Sequence, residues 1–268
     1  MSSRTTAVAG QFYPVSCQEI EQYIERFNAV LKDNNYNESA VSTIPRAIIV
    51  PHAGYVYSGF TANVAFKTAA EKRGLVKCVV IIGPSHRVFV NGASIALYNN
   101  YSSPCGDMKI DLVFSNALNE RFDFLHFAPD AHHEHSTEVQ VPFIKYYFPD
   151  AELVEIVYGD QDYVQLSQLI DAVMEEQDTL VVISTDLSHF HTEQQAKGLD
   201  TLCIQAMADL KIAELESGCE ACGMTGIKAV IASANKLALK SEVLDYRTSA
   251  DVTGDKQSVV GYVSCLIG

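Results

Sequence analysis

The strongest constraint on the fold is a set of short, nearly continuous apolar runs rich in β-branched residues. They are Ala47–Val50 (AIIV), Val76–Ile82 (VKCVVII), Ala93–Tyr98 (ASIALY), Leu153–Tyr158 (LVEIVY) and Leu180–Ser184 (LVVIS). Such runs suit strands buried on both faces, which need no polar alternation. Between them lie longer segments with helical spacing: 58–72, 111–122, 137–148 (stopping at Pro149), 162–176, 193–215 and 226–240. Near the start, Ile20, Tyr23, Ile24, Phe27 and Leu31 recur at helical spacing over 16–32, behind Ser16 as an N-cap. Two further strands, near 242–249 and 258–266, close the chain. This alternation predicts an α/β fold with a mixed, largely parallel central sheet flanked by helices. The polar stretch 33–45 reads as a surface loop. With no repeat and no break in composition, residues 1–268 are expected to form a single domain.

Composition narrows the function class. With 19 basic and 33 acidic side chains the formal charge is −14, which argues against binding a phosphate backbone. Hydrophobic residues are 48% of the chain, enough for a large core, yet no run approaches the roughly 20 apolar residues of a membrane span. The opening MSSRTTAVAG lacks the layout of a signal peptide. Seven widely spread cysteines read as mostly free thiols in a reducing, cytoplasmic setting.

Chemistry is expected where strands end, because ligands of open α/β sheets gather beyond the carboxyl ends of the strands. Three apolar runs lead directly into a histidine: IIVPHAGY into His52, VVIIGPSH into His86 and VVISTDLSH into His189. Imidazole is both a common transition-metal ligand and the side chain that titrates nearest neutrality, so the cluster fits a metal site, an acid/base site or both. Asp186 is placed to orient an imidazole. In APDAHHEHSTEVQVP, His132 and His133 read as surface residues of a solvated loop, with Ser136 or Thr137 capping the helix that follows. His135 and Glu138, nearest that helix start, are candidate pocket residues. In CEACG, one CxxC alone cannot make a four-cysteine zinc site. Two readings remain there: buried thiols packing a loop, or a single thiolate, Cys222, with its pKa lowered by a helix N-terminus and completing a two-histidine site. Phe12, Tyr55 and Tyr57 are either core aromatics or an aromatic wall. Neither G-x-S-x-G, G-x-G-x-x-G, a Walker loop nor H-E-x-x-H occurs.

Taken together, AGQFYP (9–14), PHAGYVYSG (51–59), GPSH (83–86), EHSTEVQVPF (134–143), STDLSHF (184–190), the Cys222-Gly223 turn and the closing YRTSADVTGD…SVVGY resemble the Memo family. Its prokaryotic members are called AmmeMemoRadiSam system protein B. The resemblance implies the LigB-like fold of class III extradiol dioxygenases, with His52 and His86 as metal ligands and His189 as the acid/base residue. Cys222 stands where those dioxygenases carry a glutamate, and His135 and Asp186 line the same pocket. Phe12 and Tyr57 are the expected substrate contacts. Thiolate is softer than carboxylate and favours copper(I), zinc or iron–thiolate chemistry over catechol dioxygenation. The implied activity is metal-dependent redox chemistry with iron or copper, zinc being compatible, on an unknown small molecule or peptide. Alternatives are zinc-activated hydrolysis and a non-catalytic module that binds a partner in the same pocket. The system name points to radical-SAM and AMMECR-type proteins as partners.

Overall fold

The computed structural model describes residues 3–34, 36 and 41–268. Its strands are β1 (Ala47–Val50), β2 (Cys78–Pro84), β3 (Ala93–Ile95), β4 (Asn100–Tyr101), β5 (Met108–Lys109), β6 (Leu125–His126), β7 (Glu152–Tyr158), β8 (Thr179–Ser184), β9 (His189–His191), β10 (Ser241–Thr248) and β11 (Val259–Ile267). Helices are α1 (Cys17–Asp33), α2 (Tyr55–Lys72), α3 (Leu112–Arg121), α4 (His135–Glu138), α5 (Val141–Tyr147), α6 (Tyr163–Glu175), α7 (Glu193–Ala208), α8 (Ile212–Leu215), α9 (Met224–Lys236) and α10 (Ala250–Thr253).

A nine-stranded sheet runs in the order β10-β11-β1-β8-β2-β7-β3-β6, with β9 pairing to β11 off that path. Its centre, β1-β8-β2-β7, is parallel. The β1–β11, β10–β11 and β7–β3 pairings are antiparallel. The sheet is therefore mixed and mostly parallel at its core, as the apolar runs predict. Successive strand residues alternate between two cores. Ile49, Val80, Ile82, Val181 and Ile183 face α6, α7 and α9. Ile48, Val50, Val79, Ile81 and Val182 face α1, α2 and α5. Ser16 caps α1 as expected, its hydroxyl accepting from Glu19 N–H at 3.4 Å.

Several expectations are corrected. The helix predicted over 137–148 is two short pieces, α4 and α5, broken where Gln140 turns its amide inward and Pro142 withholds a backbone donor. The helix predicted over 193–215 breaks between α7 and α8, where Leu210 takes a left-handed φ of 55°. The loop expected over 33–45 falls partly on residues outside those described. Four of the seven cysteines are paired, Cys17 with Cys105 and Cys203 with Cys219, so the expectation of mostly free thiols fails and the compartment argument built on it lapses. Cys78, Cys222 and Cys265 are free. Among the described residues no helix is long and apolar enough to cross a membrane.

The N-terminal segment lies across the molecule as a strap, held by a buried carboxylate. Glu138 pairs with Arg4, both side chains being almost fully buried, and accepts from Ala7 N–H (2.7 Å), Val8 N–H (2.9 Å) and the Tyr13 hydroxyl (2.7 Å). Glu138 is thus committed to the strap and is not a pocket residue, contrary to expectation. Removing one member of such a pair strands the other charge in the interior. Glu138→Ala is expected to lower stability by about 3–5 kcal/mol in urea unfolding; a loss of under roughly 1 kcal/mol, the worth of an exposed pair, would refute this role for the pair.

Candidate metal centre

Strand order brings the histidines together. Because β8 lies between β1 and β2 and all three are parallel, the segments leaving Val50, Ser184 and Pro84 emerge at one edge of the sheet. His52 follows β1, His86 follows β2, and Asp186 and His189 follow β8. The imidazoles of His52 and His86 have their centroids 5.2 Å apart, and His135, from the first turn of α4, lies 5.4 Å from His52 and 4.7 Å from His86. Cys222 arrives from the turn before α9, its Sγ 3.3 Å from His52 Nε2. That approach needs Gly223, since a Cβ there would lie 2.5 Å from the Thr185 side chain.

The protonation of His52 follows from its neighbours. Ser184 Oγ has one proton, and donates it to the Ser136 carbonyl at 2.5 Å. It accepts from Gln140 Nε2 at 2.9 Å, and that amide is oriented by its second donation, to the Pro51 carbonyl at 2.9 Å. The remaining contact, 2.9 Å to His52 Nδ1, must therefore be donated by the imidazole. His52 carries its proton on Nδ1 and turns the Nε2 lone pair toward Cys222. Burial, reinforced by the charges of His86 and His135, lowers its pKa well below the usual imidazole range. It is a neutral imidazole at pH 7.

Glu134 organises the other side. Its carboxylate is buried and accepts from the backbone N–H groups of His86 (2.7 Å), Arg87 (3.2 Å), His135 (2.7 Å) and Ser136 (3.1 Å). It also meets Nδ1 of His135 at 2.6 Å and of His86 at 3.4 Å. Burial pushes this carboxyl up, but the hydrogen bonds from His135 and His86 outweigh it and hold Glu134 far below the usual carboxylate range. With Nδ1 of both rings facing Glu134, Nε2 is the nitrogen left to each.

Asp186 Oδ1 accepts from the His52 backbone N–H at 2.7 Å, so it pins the turn that presents His52. Burial raises its pKa, against backbone hydrogen bonds from His52 and Ala53 and the charges of His189 and His135. His189 is positioned through its neighbour: Ser188 N–H donates to Asp200 Oδ1 at 3.0 Å, and the Tyr246 hydroxyl donates to Asp200 Oδ2 at 2.7 Å. A Cβ on Gly261 would sit 1.9 Å from that carboxylate, so only glycine leaves room for it.

Phe12, carried on the strap, packs on the His135 ring at 4.7 Å. Tyr57 is 43% exposed on the first turn of α2, whereas Tyr55 is a core residue stacked on Phe143 at 4.5 Å. His133 is exposed, but His132 is buried, against expectation. Its Nδ1 meets Glu155 at 2.9 Å and its Nε2 meets Ser94 Oγ at 2.8 Å, because the buried Glu155 carboxylate on β7 requires donors. Cys222 also departs from expectation: burial, with the Asp186 charge adding, pushes its thiol up to about 12, outweighing hydrogen bonds from the Asp186 and Gly223 backbone and the Thr185 hydroxyl. Spacing gave no signal for Glu134, Ser184, Gln140 or Asp200. The one available hint was polarity, Gln140 and Ser184 standing in otherwise apolar runs.

Metal-ligand atoms of His52, His86 and Cys222 all lie within 4.8 Å of one another, as do those of His86, Glu134 and His135. Nitrogen and sulfur ligands about 2.0–2.3 Å from a tetrahedral ion sit roughly 3.3–3.7 Å apart, which the first group reaches by small side-chain rotations. Glu134, already bound by backbone donors, is better suited to orienting the rings than to ligation. The His52–His86–Cys222 set fits a transition metal.

The profile of Memo-like proteins matches residues 4–266. A MEMO1 family protein of Thermoplasma volcanium is 32% identical over 97% of both chains. Another, from Thermoplasma acidophilum, is 33% identical over 97% of both, and one from Methanobrevibacter smithii is 32% identical over 97% of this chain and 98% of its own. Among solved structures, an uncharacterized protein from Escherichia coli K12 superposes with a TM-score of 0.52 at 12% identity, covering 83% of this chain and 99% of that one, which shows a shared fold.

Two outcomes are expected. Ser184→Ala frees the His52 ring to take the other tautomer and should weaken zinc binding by about 10–100-fold in a chelator competition; unchanged affinity would contradict the tautomer assignment. Cys222 must lose a proton to ligate while His52 is already neutral, so zinc affinity should rise about tenfold per pH unit between about pH 7 and 9. Cys222→Ser should flatten that slope, and a flat wild-type profile would exclude the thiol.

Proposed function

The chain belongs to the family of Memo-like proteins, and on that footing we propose that it is a metal-dependent oxidoreductase acting through His52, His86 and Cys222. The observation that supports this reading is the convergence of these donors at the carboxyl edge of parallel strands, beside His189, which shares a cavity with Cys222. The mixed nitrogen and sulfur set suits iron or copper. When bound, such an ion supplies the electron-transfer chemistry that these side chains cannot.

The protein's own groups then divide the remaining work. His189 donates or accepts the proton at the substrate, held in place through Ser188 and Asp200. Asp186 keeps the His52 turn fixed and places negative potential near His189 and His135. His135, with Nδ1 against Glu134, offers Nε2 as a second polar contact, and Phe12 on its ring excludes water. Tyr57 completes the substrate contacts. The substrate is a small molecule or a peptide, and radical-SAM and AMMECR-type proteins are the proposed partners.

A second reading, a module that binds a partner without turnover, is favoured by a different observation. Phe190, directly after His189, is 79% exposed and holds a left-handed φ of 63°. Phe89, three residues after His86, is 82% exposed. An exposed aromatic residue in a strained backbone has no folding benefit, which fits a contact surface.

Protein purified without an affinity tag should hold near-stoichiometric iron or copper, and His52→Ala should lose it. His189→Gln should keep the metal but lose about 10²–10⁴-fold of the dioxygen consumption measured with the iron(II)-loaded protein. Wild type and His52→Ala carrying the same trace of metal would contradict the oxidoreductase. Partner binding that survives both Cys222→Ser and His189→Ala would favour the module.

A further inference from the structure

Cysteines 203, 219 and 222 meet at one corner of the fold. Cys203, on α7, is fully buried and bonded to Cys219 at a sequence separation of 16, with the Cα atoms 4.9 Å apart. Cys219 is half-buried and shares with Cys222 and His189 a cavity of about 430 Å³. Cys222 is a free thiol on the same turn, Cys219-Glu220-Ala221-Cys222, which runs into α9. Such a CxxC turn ahead of a helix can close a disulfide between its own two cysteines. The disulfide that is present therefore competes with a second, local one, and both use Cys219.

We propose that Cys219 exchanges partners between Cys203 and Cys222, and that metal occupancy selects the partner. The proposal rests on Cys222 being a metal ligand. In the exchange the Cys222 thiolate attacks Cys219 Sγ along the S–S axis. The Cys219–Cys222 bond forms as the Cys203–Cys219 bond breaks, and Cys203 leaves as a thiolate that takes up the proton released by Cys222. One disulfide replaces another, so no external oxidant or reductant is needed. The attack falls on Cys219 because that residue lines the cavity, whereas Cys203, on α7, is fully buried.

To reach Cys219, Cys222 must give up its contacts with His52 Nε2 (3.3 Å) and the Asp186 N–H (3.2 Å). A metal held by Cys222 forbids that rotation. A protein without metal is free to make it, and then stores its ligand sulfur as a disulfide, safe from irreversible oxidation until reduced. The segment is anchored at its other points, Glu220 by His191 at 2.8 Å and Gly223 N–H by Thr185 Oγ1 at 2.9 Å, so the rearrangement stays local.

The test uses the full chain with zinc(II) as the probe. Protein held for hours at mildly alkaline pH, with zinc or with a chelator, is quenched, alkylated and mapped by mass spectrometry. The chelated sample should show a several-fold rise in the Cys219–Cys222 peptide and in alkylated Cys203, and zinc should suppress both. The same Cys203–Cys219 pairing in both samples would overturn the proposal. A matched pair of variants removes folding as an explanation, since each lacks the existing disulfide. Cys203→Ser leaves Cys222 as the partner for Cys219; after oxidation in air, with dioxygen accepting the two electrons released as the two thiols join, it should bind little zinc until treated with a phosphine reductant. Cys219→Ser should bind zinc without reductant. Full zinc binding by oxidised Cys203→Ser would refute the exchange, whereas undiminished zinc binding by Cys222→Ser would instead refute the ligand assignment beneath it.

Discussion

A hydroxyl group has a single proton, and at Ser184 it is given to the carbonyl of Ser136. The rest of the centre depends on that. Gln140, steered by the Pro51 carbonyl, fills one acceptor position of the hydroxyl, and His52 can fill the other only as an Nδ1–H donor. The lone pair on Nε2 then faces Cys222, in a buried place where a protonated imidazole would be costly. Three separate segments, β1, β8 and α4, are tied to one oxygen atom, and the same atom sets the tautomer of the His52 imidazole.

Buried carboxylates extend this order outward. Glu134 gathers the backbone of His86 and His135 and both of their rings. Glu155, on β7, holds His132 and the Thr137 hydroxyl beneath α4. Glu138, at the end of α4, holds the N-terminal strap and so places Phe12 on His135. Burying a carboxylate is costly unless its oxygens are satisfied. Each of these is satisfied by groups from other segments, so what would be a liability becomes a constraint on geometry. The short helix α4 is thereby fixed from several directions, although its own four residues form little more than one turn.

Much of the fold was legible because it rests on periodicity. The β-branched runs at 47–50, 153–158 and 180–184 became β1, β7 and β8 within a residue, and the exits from β1 and β2 set the His52 and His86 rings 5.2 Å apart. Cys222 and His135 stood out by their places near the starts of helices, and both lie beside His52. What escaped was whatever depends on contacts distant in sequence. His132 and Glu134 read as a solvated tract because charge density looks the same whether a carboxylate meets water or a ring of backbone donors. Asp200 lies in the middle of α7, and its hold on Ser188 requires the missing side chain of Gly261 on a strand far along the chain. The two disulfides link positions 88 and 16 residues apart, a pairing that spacing does not reveal.

In the proposed centre His52, His86 and Cys222 together hold a transition metal, with Glu134 orienting the rings without binding the ion. A crystal grown with zinc and measured on both sides of the zinc absorption edge tests it most directly. One anomalous peak is expected, about 2.0–2.1 Å from a nitrogen of His52 and of His86 and about 2.3 Å from Cys222 Sγ. A peak bound instead by His86, Glu134 and His135, with the Cys222 sulfur left outside, would contradict it.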